Sequence, residues 1–160
     1  MELDLDIQIT PNSLYDYQLR HTYSSFQGIL GAVAGLFLIA LFLFARQSAV
    51  FLIMGLVVEA YLPITLFLSA KKQFISTPFF KKPIHYHFDD TGMTVSQDEA
   101  SETQEWDVMY KAVSTPSSII LYTSRRNASI FPKKDLGDQK AALVEMISTH
   151  MSPKKVKIRG

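Results

Sequence analysis

Two apolar stretches, residues 23–45 and 48–70, stand almost back to back, with only Arg46 and Gln47 between them. As a helix, each is roughly 34 Å long at a rise of about 1.5 Å per residue, enough to cross a hydrocarbon core of about 30 Å. So short a linker permits only an antiparallel hairpin. In lipid the backbone must satisfy its own hydrogen bonds, and paired helices do so. The pattern predicts two membrane spans.

Outside the hairpin the period changes. Leu3, Leu5, Ile7 and Ile9 alternate with polar residues, the pattern of a half-buried strand. Pro11, Asn12 and Ser13 end it, and Asn12 or Ser13 is placed to cap a helix over 14–21 that runs unbroken into the first span. The second span is expected to finish within 71–80, stopped at Pro78. Short strands are then expected. At 84–88, Ile84, Tyr86 and Phe88 alternate with His85 and His87, and Asp89-Asp90-Thr91-Gly92 turns the chain into 93–96. The acidic stretch 98–101 reads as a hairpin tip, and 105–112 as a strand with Trp106, Val108, Tyr110 and Ala112 on one face. Residues 118–123 form a more fully apolar strand, and 128–131 the last one, ended by Pro132. Asp135 can cap a helix whose Leu136, Leu143, Ile147 and Met151 share a face.

The expectation is an α+β membrane protein: a transmembrane helical hairpin, then about five antiparallel strands closed by a C-terminal helix. Such a sheet keeps an open edge, which natural proteins cover. The strand within 3–10 lies on the same side of the membrane and is expected to fill that edge. In segments, 1–22 holds the strand and a juxtamembrane helix, 23–45 and 48–70 the spans, 76–152 the cytoplasmic domain and 153–160 a basic tail.

Charge refines this picture. Lys and Arg total 16 against 15 Asp and Glu, a formal net charge of +1, which argues against a nucleic-acid binder. Every charge between Asp89 and Asp107 is negative, whereas Lys154, Lys155, Lys157 and Arg159 crowd the end. There is no cysteine, which excludes disulfides and thiolate metal sites. The chain opens on Glu2, Asp4 and Asp6, unlike the positive start of a cleaved signal peptide. The connector offers only Arg46, whereas Arg20, Lys71, Lys72, Lys81 and Lys82 flank the other side. Both termini are therefore expected in the cytoplasm of a two-span protein of the cell membrane.

The turn Phe88-Asp89-Asp90-Thr91-Gly92, then Glu105-Trp106, Ile119-Ile120-Leu121-Tyr122 and Ile130-Phe131-Pro132-Lys133, set after a two-span hairpin, resembles the bacterial YcxB-like family. The resemblance implies a soluble part like a pleckstrin-homology barrel or sandwich. Its motifs are folding landmarks, and it carries no assigned chemistry onto particular residues.

Glu59 is the most unusual residue, an acid near the middle of the second span, where insertion costs about 2.5–3.5 kcal/mol. Pro63, four residues on, cannot donate to the Glu59 carbonyl. Gly31 and Gly35 have the spacing that lets a second helix approach closely. Together these four form a candidate intramembrane contact, either with a second copy or a partner's span, or for a proton-coupled step. The plain alternative is a tolerated acid satisfied within its own hairpin.

Lys71, Lys72, Arg125 and Arg126 are candidates for contact with anionic lipid headgroups or an acidic partner segment, set against topology determination and an ordinary charged turn. His85 and His87 share a strand face, but no third metal ligand is evident. No catalytic constellation stands out, and no cofactor or metal site is expected. The function expected is non-enzymatic, a membrane-tethered binding or scaffold module whose partner is lipid or protein. The alternative is an accessory subunit of a transporter or membrane enzyme, contacting its partner through Glu59.

Overall fold

The computed structural model describes residues 2–125 and 127–158. The chain begins with β1 (Leu3–Ile7) and turns at Thr10 into α1 (Pro11–Tyr23). The cap is Thr10 rather than Asn12 or Ser13. Proline fits only at the first helical position, which puts the cap one residue earlier. The Thr10 side chain accepts from the Ser13 N–H at 3.2 Å, and the Ser13 hydroxyl accepts from the Thr10 N–H at 2.9 Å. The expected unbroken run into the first apolar helix is interrupted. Ser24 and Ser25 leave the helix, and Ser25 caps α2 (Phe26–Ala45) by accepting from the Gly28 N–H at 3.1 Å.

Arg46, at φ 52, ends α2, and Ser48 caps α3 (Ala49–Ser76). Both helices are long and apolar enough to cross a membrane. They pair side by side, while Leu36, Phe37, Phe44, Ile53, Val57 and Leu68 point away from the pair and are exposed. α3 ends before Pro78, which opens a single 3-10 turn, Pro78–Lys81.

Two four-stranded sheets follow. The first runs in the order β1, β2 (Ile84–Phe88), β3 (Gly92–Gln97), β4 (Ala100–Glu105), with every neighbour antiparallel. β1 therefore joins β2 across the whole hairpin, with Leu5 opposite Tyr86. The second sheet runs β7 (Ala128–Pro132), β6 (Ser118–Tyr122), β5 (Lys111–Ser114), β8 (Val156–Lys157), with β8 parallel to β5. The sheets meet through aromatic rings: Phe131 lies 4.8 Å from Tyr86 and 5.8 Å from Phe88 between centroids. After the short α4 (Lys133–Leu136) and Gly137, α5 (Gln139–His150) closes the core. Leu136, Leu143, Ile147 and Met151 are all buried.

The segment 105–112 is not one strand. β4 ends at Glu105, a 3-10 turn spans Trp106–Val108, and β5 starts at Lys111. The Trp106 indole N–H donates to the Asp89 carbonyl at 2.8 Å, and its ring stacks between Phe88 and His150, 6.0 and 5.0 Å away. Anchoring the indole there bends the chain out of the strand. The Asp89 carboxylate accepts from the N–H groups of Thr91 and Gly92, closing the turn against which Trp106 packs. Gly92 lies so close to the Gln104 carbonyl that a Cβ has no room.

β6 is buried at every position. Ile119 and Leu121 face the main core, whereas Ile120 and Tyr122 join Val113 in a second cluster against Tyr17 of α1. A strand covered on both faces needs apolar residues throughout, which explains its unbroken apolar pattern.

Candidate functional site

Two regions gather the residues that are unusual for their surroundings. The first is the seam between α2 and α3. Gly35 is buried there beneath the Glu59 carboxylate, and a Cβ at Gly35 would occupy the same space as that side chain. One turn before Glu59 on α3, a Cβ at Gly55 would lie 2.9 Å from the Gly35 carbonyl oxygen and 3.1 Å from the Ile39 nitrogen. The close approach is therefore made by Gly35 with Gly55. Gly31 makes an ordinary contact, its Cβ position 3.7 Å from Leu62 Cδ1. Pro63 sits within α3. Thus Glu59 and Gly35 are brought together inside one hairpin, and the Glu59 Oε1 oxygen is buried there without a hydrogen-bond partner among the described residues.

The expected basic contacts do not converge on one site. The Lys71 ammonium lies over the Phe67 ring at 4.6 Å, and Lys72 is exposed on α3. Arg125 is exposed in the turn between β6 and β7, and Arg126 lies outside the described residues.

A denser basic region lies elsewhere. Arg20, Ser24, Tyr110, Lys111, Val113, Lys154, Lys155 and Lys157 line an open cavity of about 490 Å³. α1 supplies Arg20 one turn before Ser24, and β5 supplies Lys111. The remaining lysines come from the chain end, which is stitched to the sheet: the Ala112 N–H donates to the Lys155 carbonyl at 2.9 Å, and Val156 lies opposite Ala112. Lys155 Nζ donates to the Met109 carbonyl at 2.8 Å, and Lys111 Nζ sits over the Tyr122 ring at 4.6 Å. Burial, with Tyr17 nearby, pushes the Tyr122 phenol up to about 12, against the pull of Arg20. It is a neutral ring beneath the cations at ordinary pH. In the sequence, 153–160 reads as a basic tail whose charges suit an anionic leaflet as well as topology and solubility, and its strand does not show. The missed signal is the apolar alternation of Val156 and Ile158 with Lys155 and Lys157, a strand pattern too short to stand out.

α1 joins the two regions mechanically. Tyr15 meets Phe67 of α3 edge-on at 5.5 Å, and the Gln18 side-chain amide donates to that of Gln73 at 2.9 Å. On its other side, Tyr17 and His21 pack on Tyr122, 5.9 and 6.4 Å between centroids.

His85 and His87 line the outer face of the first sheet and pair with the edge strand. His87 Nδ1 lies 2.7 Å from Asp4 Oδ1, and His85 Nδ1 lies 2.8 Å from Asp6 Oδ1. Among the described residues, no group of three or more His, Asp or Glu side chains is arranged to hold a metal ion.

Residues 88–147, from the last residue of β2 into α5, match the model of the family described as YcxB-like protein. No curated protein matches the chain. No solved structure matches it either.

Proposed function

We propose that this chain with a YcxB-like domain is an integral membrane protein whose helices α2 and α3 span the bilayer. Its two-sheet domain, pleckstrin-homology-like in plan, sits at the cytoplasmic surface as a non-enzymatic binding or scaffold module. The observation that carries the reading is the outward apolar surface of α2 and α3. Phe44 is 85% exposed, Phe37 61% and Val57 62%, along helices whose lengths suit a bilayer. A helix apolar all round with nothing covering it belongs in lipid. Two sheets closed by α5 suit the pleckstrin-homology plan, and the clamp through α1 suits a module presented at a fixed height.

Orientation rests on the excess of Lys and Arg beside the domain compared with the lone Arg46 of the connector. Because the chain has no cysteine, single introduced cysteines report topology cleanly. Gln47→Cys is expected to react with an impermeant maleimide on intact cells, and Ser152→Cys only after lysis. Labelling of Ser152→Cys on intact cells would overturn the orientation.

A second reading is favoured by the unpartnered Glu59 Oε1 oxygen. In that reading the chain is an accessory subunit, and Glu59 completes its hydrogen bonding with a partner's span. Photocrosslinkers placed in α3 and on the domain separate the two. The first reading expects partners on the domain, and the second expects them in the bilayer.

A further inference from the structure

We infer that the cavity bounded by Arg20, Ser24, Lys111, Lys154, Lys155 and Lys157 holds the phosphate of an anionic lipid headgroup. The inference deepens the membrane reading above and rests on it. Ser24 immediately precedes Ser25, the cap of α2, so the cavity opens where the chain enters its first apolar helix. With α2 across the bilayer, that point is the bilayer surface.

Cations from three separate stretches of sequence converge there: Arg20 on α1, Lys111 on β5, and Lys154, Lys155 and Lys157 around β8. Among the described residues none of these cations pairs with a carboxylate; the lysine pairs lie elsewhere, Lys82 with Asp98 and Lys134 with Asp135. Like charges gathered without a counter-ion repel one another, and an anion relieves that repulsion.

The site is also built in advance. Lys111 is held over Tyr122, Lys155 is held by the Met109 carbonyl, and the backbone at Lys155 is held by Ala112. Arg20, Lys154 and Lys157 are exposed, with side chains left to engage a ligand. Arginine offers a planar pair of donors, the lysines offer point charges, and the hydroxyls of Ser24 and Tyr110 add two more donors. Such a lining suits phosphate oxygens.

The surroundings select a lipid over a soluble phosphate. Phe26, two residues past Ser24, is 77% exposed, and Val108, two residues before Tyr110, is 60% exposed. Apolar residues beside cations are the pairing that an anionic bilayer surface attracts.

The test uses the full chain in a neutral detergent, titrated with phosphatidylglycerol and, for comparison, phosphatidylcholine, with bound lipid counted by native mass spectrometry. Wild type is expected to retain phosphatidylglycerol preferentially. The triple variant Arg20→Gln, Lys154→Gln, Lys157→Gln replaces side chains that make no hydrogen bond in the described structure. It is expected to bind that lipid on the order of a hundredfold more weakly, from about fivefold per charge removed. Lys82→Gln, Lys134→Gln, Lys140→Gln removes the same charge elsewhere and is expected to bind like wild type.

Equal retention by wild type and the first variant overturns the inference. An equal loss in the second variant does so too, because the overall field would then be responsible. Excess inorganic phosphate is expected to leave the lipid bound; displacement would assign the cavity to soluble phosphate and refute the lipid. Alkaline extraction of membranes tests the reading beneath. A chain released by carbonate refutes the membrane anchor itself, whereas a chain that stays but fails the lipid titration refutes only the site.

Discussion

The Thr115 hydroxyl donates to the Asp16 carboxylate at 2.6 Å, joining the helix before the hairpin to the sheet that follows it. The same oxygen accepts from the Ser118 N–H at 2.8 Å and the Ser117 N–H at 3.2 Å, so it organises the β5–β6 turn as well. Lys133 Nζ adds a bond to the Thr115 carbonyl at 2.6 Å. One turn of backbone thus holds both α1 and the entry to α4. Through Tyr15 and Gln18, α1 in turn holds α3. The hairpin and the two-sheet domain are therefore tied together at the turn and along α1.

Asp16→Ala is expected to lower stability by about 1.5–3 kcal/mol, the scale of a hydrogen bond to a charged group. Asp16→Asn keeps an acceptor and should lose less. Thr115→Val should lose more than either, because it strands the N–H groups of Ser117 and Ser118. Thermal unfolding of the full chain in detergent gives the order. A wild-type midpoint for Asp16→Ala would remove the clamp from the argument.

The edge strand makes a second prediction. Leu5 is 2% exposed and Ile7 0%, packed in the main core although some 80 residues separate them from their β2 partners. Replacing both with Asp forfeits roughly 1.5–3 kcal/mol of burial at each position and strands a carboxylate at each. Limited proteolysis is expected to cut the domain of this variant much faster than that of wild type. A fragment of 76–160 alone that resists protease as well as the full chain would show β1 to be dispensable.

The sequence announces β1 and β2 because one face of each is dry and the other wet, and period two is then unavoidable. It hides β4. Ala100–Glu105 reads Ala-Ser-Glu-Thr-Gln-Glu and is mostly exposed, so its pairing with β3 rests on the backbone ladder and contacts such as Thr94 with Thr103 at 2.8 Å. No apolar alternation can reveal a strand with two wet faces. The break at Ser24 and Ser25 was hidden for another reason, since neither proline nor glycine stands there and only the Ser25 cap marks the boundary. The Glu59–Gly35 contact was half legible: the small-residue stripe was plain, but which glycine met which helix depended on how α2 and α3 rotate. The basic cavity was not legible at all, because it exists only once β8 has paired with β5.

Acid and base groups on the first sheet predict a pH dependence. The hydrogen bond to Asp4 raises the His87 pKa above its ordinary 6.5, with Asp4, Glu2 and Asp89 charges adding to it. The same bond to His87 lowers the Asp4 pKa below 3.8. A raised histidine stabilises fully below pH 6.5 and loses its contribution as pH climbs through the folded value. A lowered carboxylate contributes fully above 3.8 and loses that as pH falls through its folded value. β1 is therefore held best at mildly acidic pH. Amide protection factors across residues 3–7 should be higher at about pH 5 than at about pH 8, and Asp4→Asn should flatten the difference. Equal protection at both would show that the pair contributes nothing to docking the strand.

The helix seam gives the last prediction, because its two glycines meet different obstacles. A Cβ at Gly55 meets the Ile39 side chain at 2.6 Å and, close behind it, backbone, the Gly35 carbonyl and the Ile39 nitrogen, which cannot yield without moving a helix. A Cβ at Gly35 faces the Glu59 side chain, which can rotate. Gly55→Ala is therefore expected to loosen the hairpin by about 1–3 kcal/mol, the usual scale of overpacking, and Gly35→Ala by clearly less. Pairing Gly35→Ala with Glu59→Gln should change little, since an amide has the carboxylate's shape. Pairing it with Glu59→Ala should recover what Gly35→Ala loses, because the obstruction is gone. Glu59→Gln alone should keep any assembly the chain makes, whereas Glu59→Leu should weaken it by about 1–2 kcal/mol if the buried oxygen finds a partner in another span. Thermal unfolding reports the glycine pair, and detergent-resistant oligomer or recovered partner reports Glu59. Equal costs at Gly35 and Gly55 would place the close approach elsewhere on the helices. Indifference of the assembly to both Gln and Leu would leave Glu59 as a residue the hairpin tolerates.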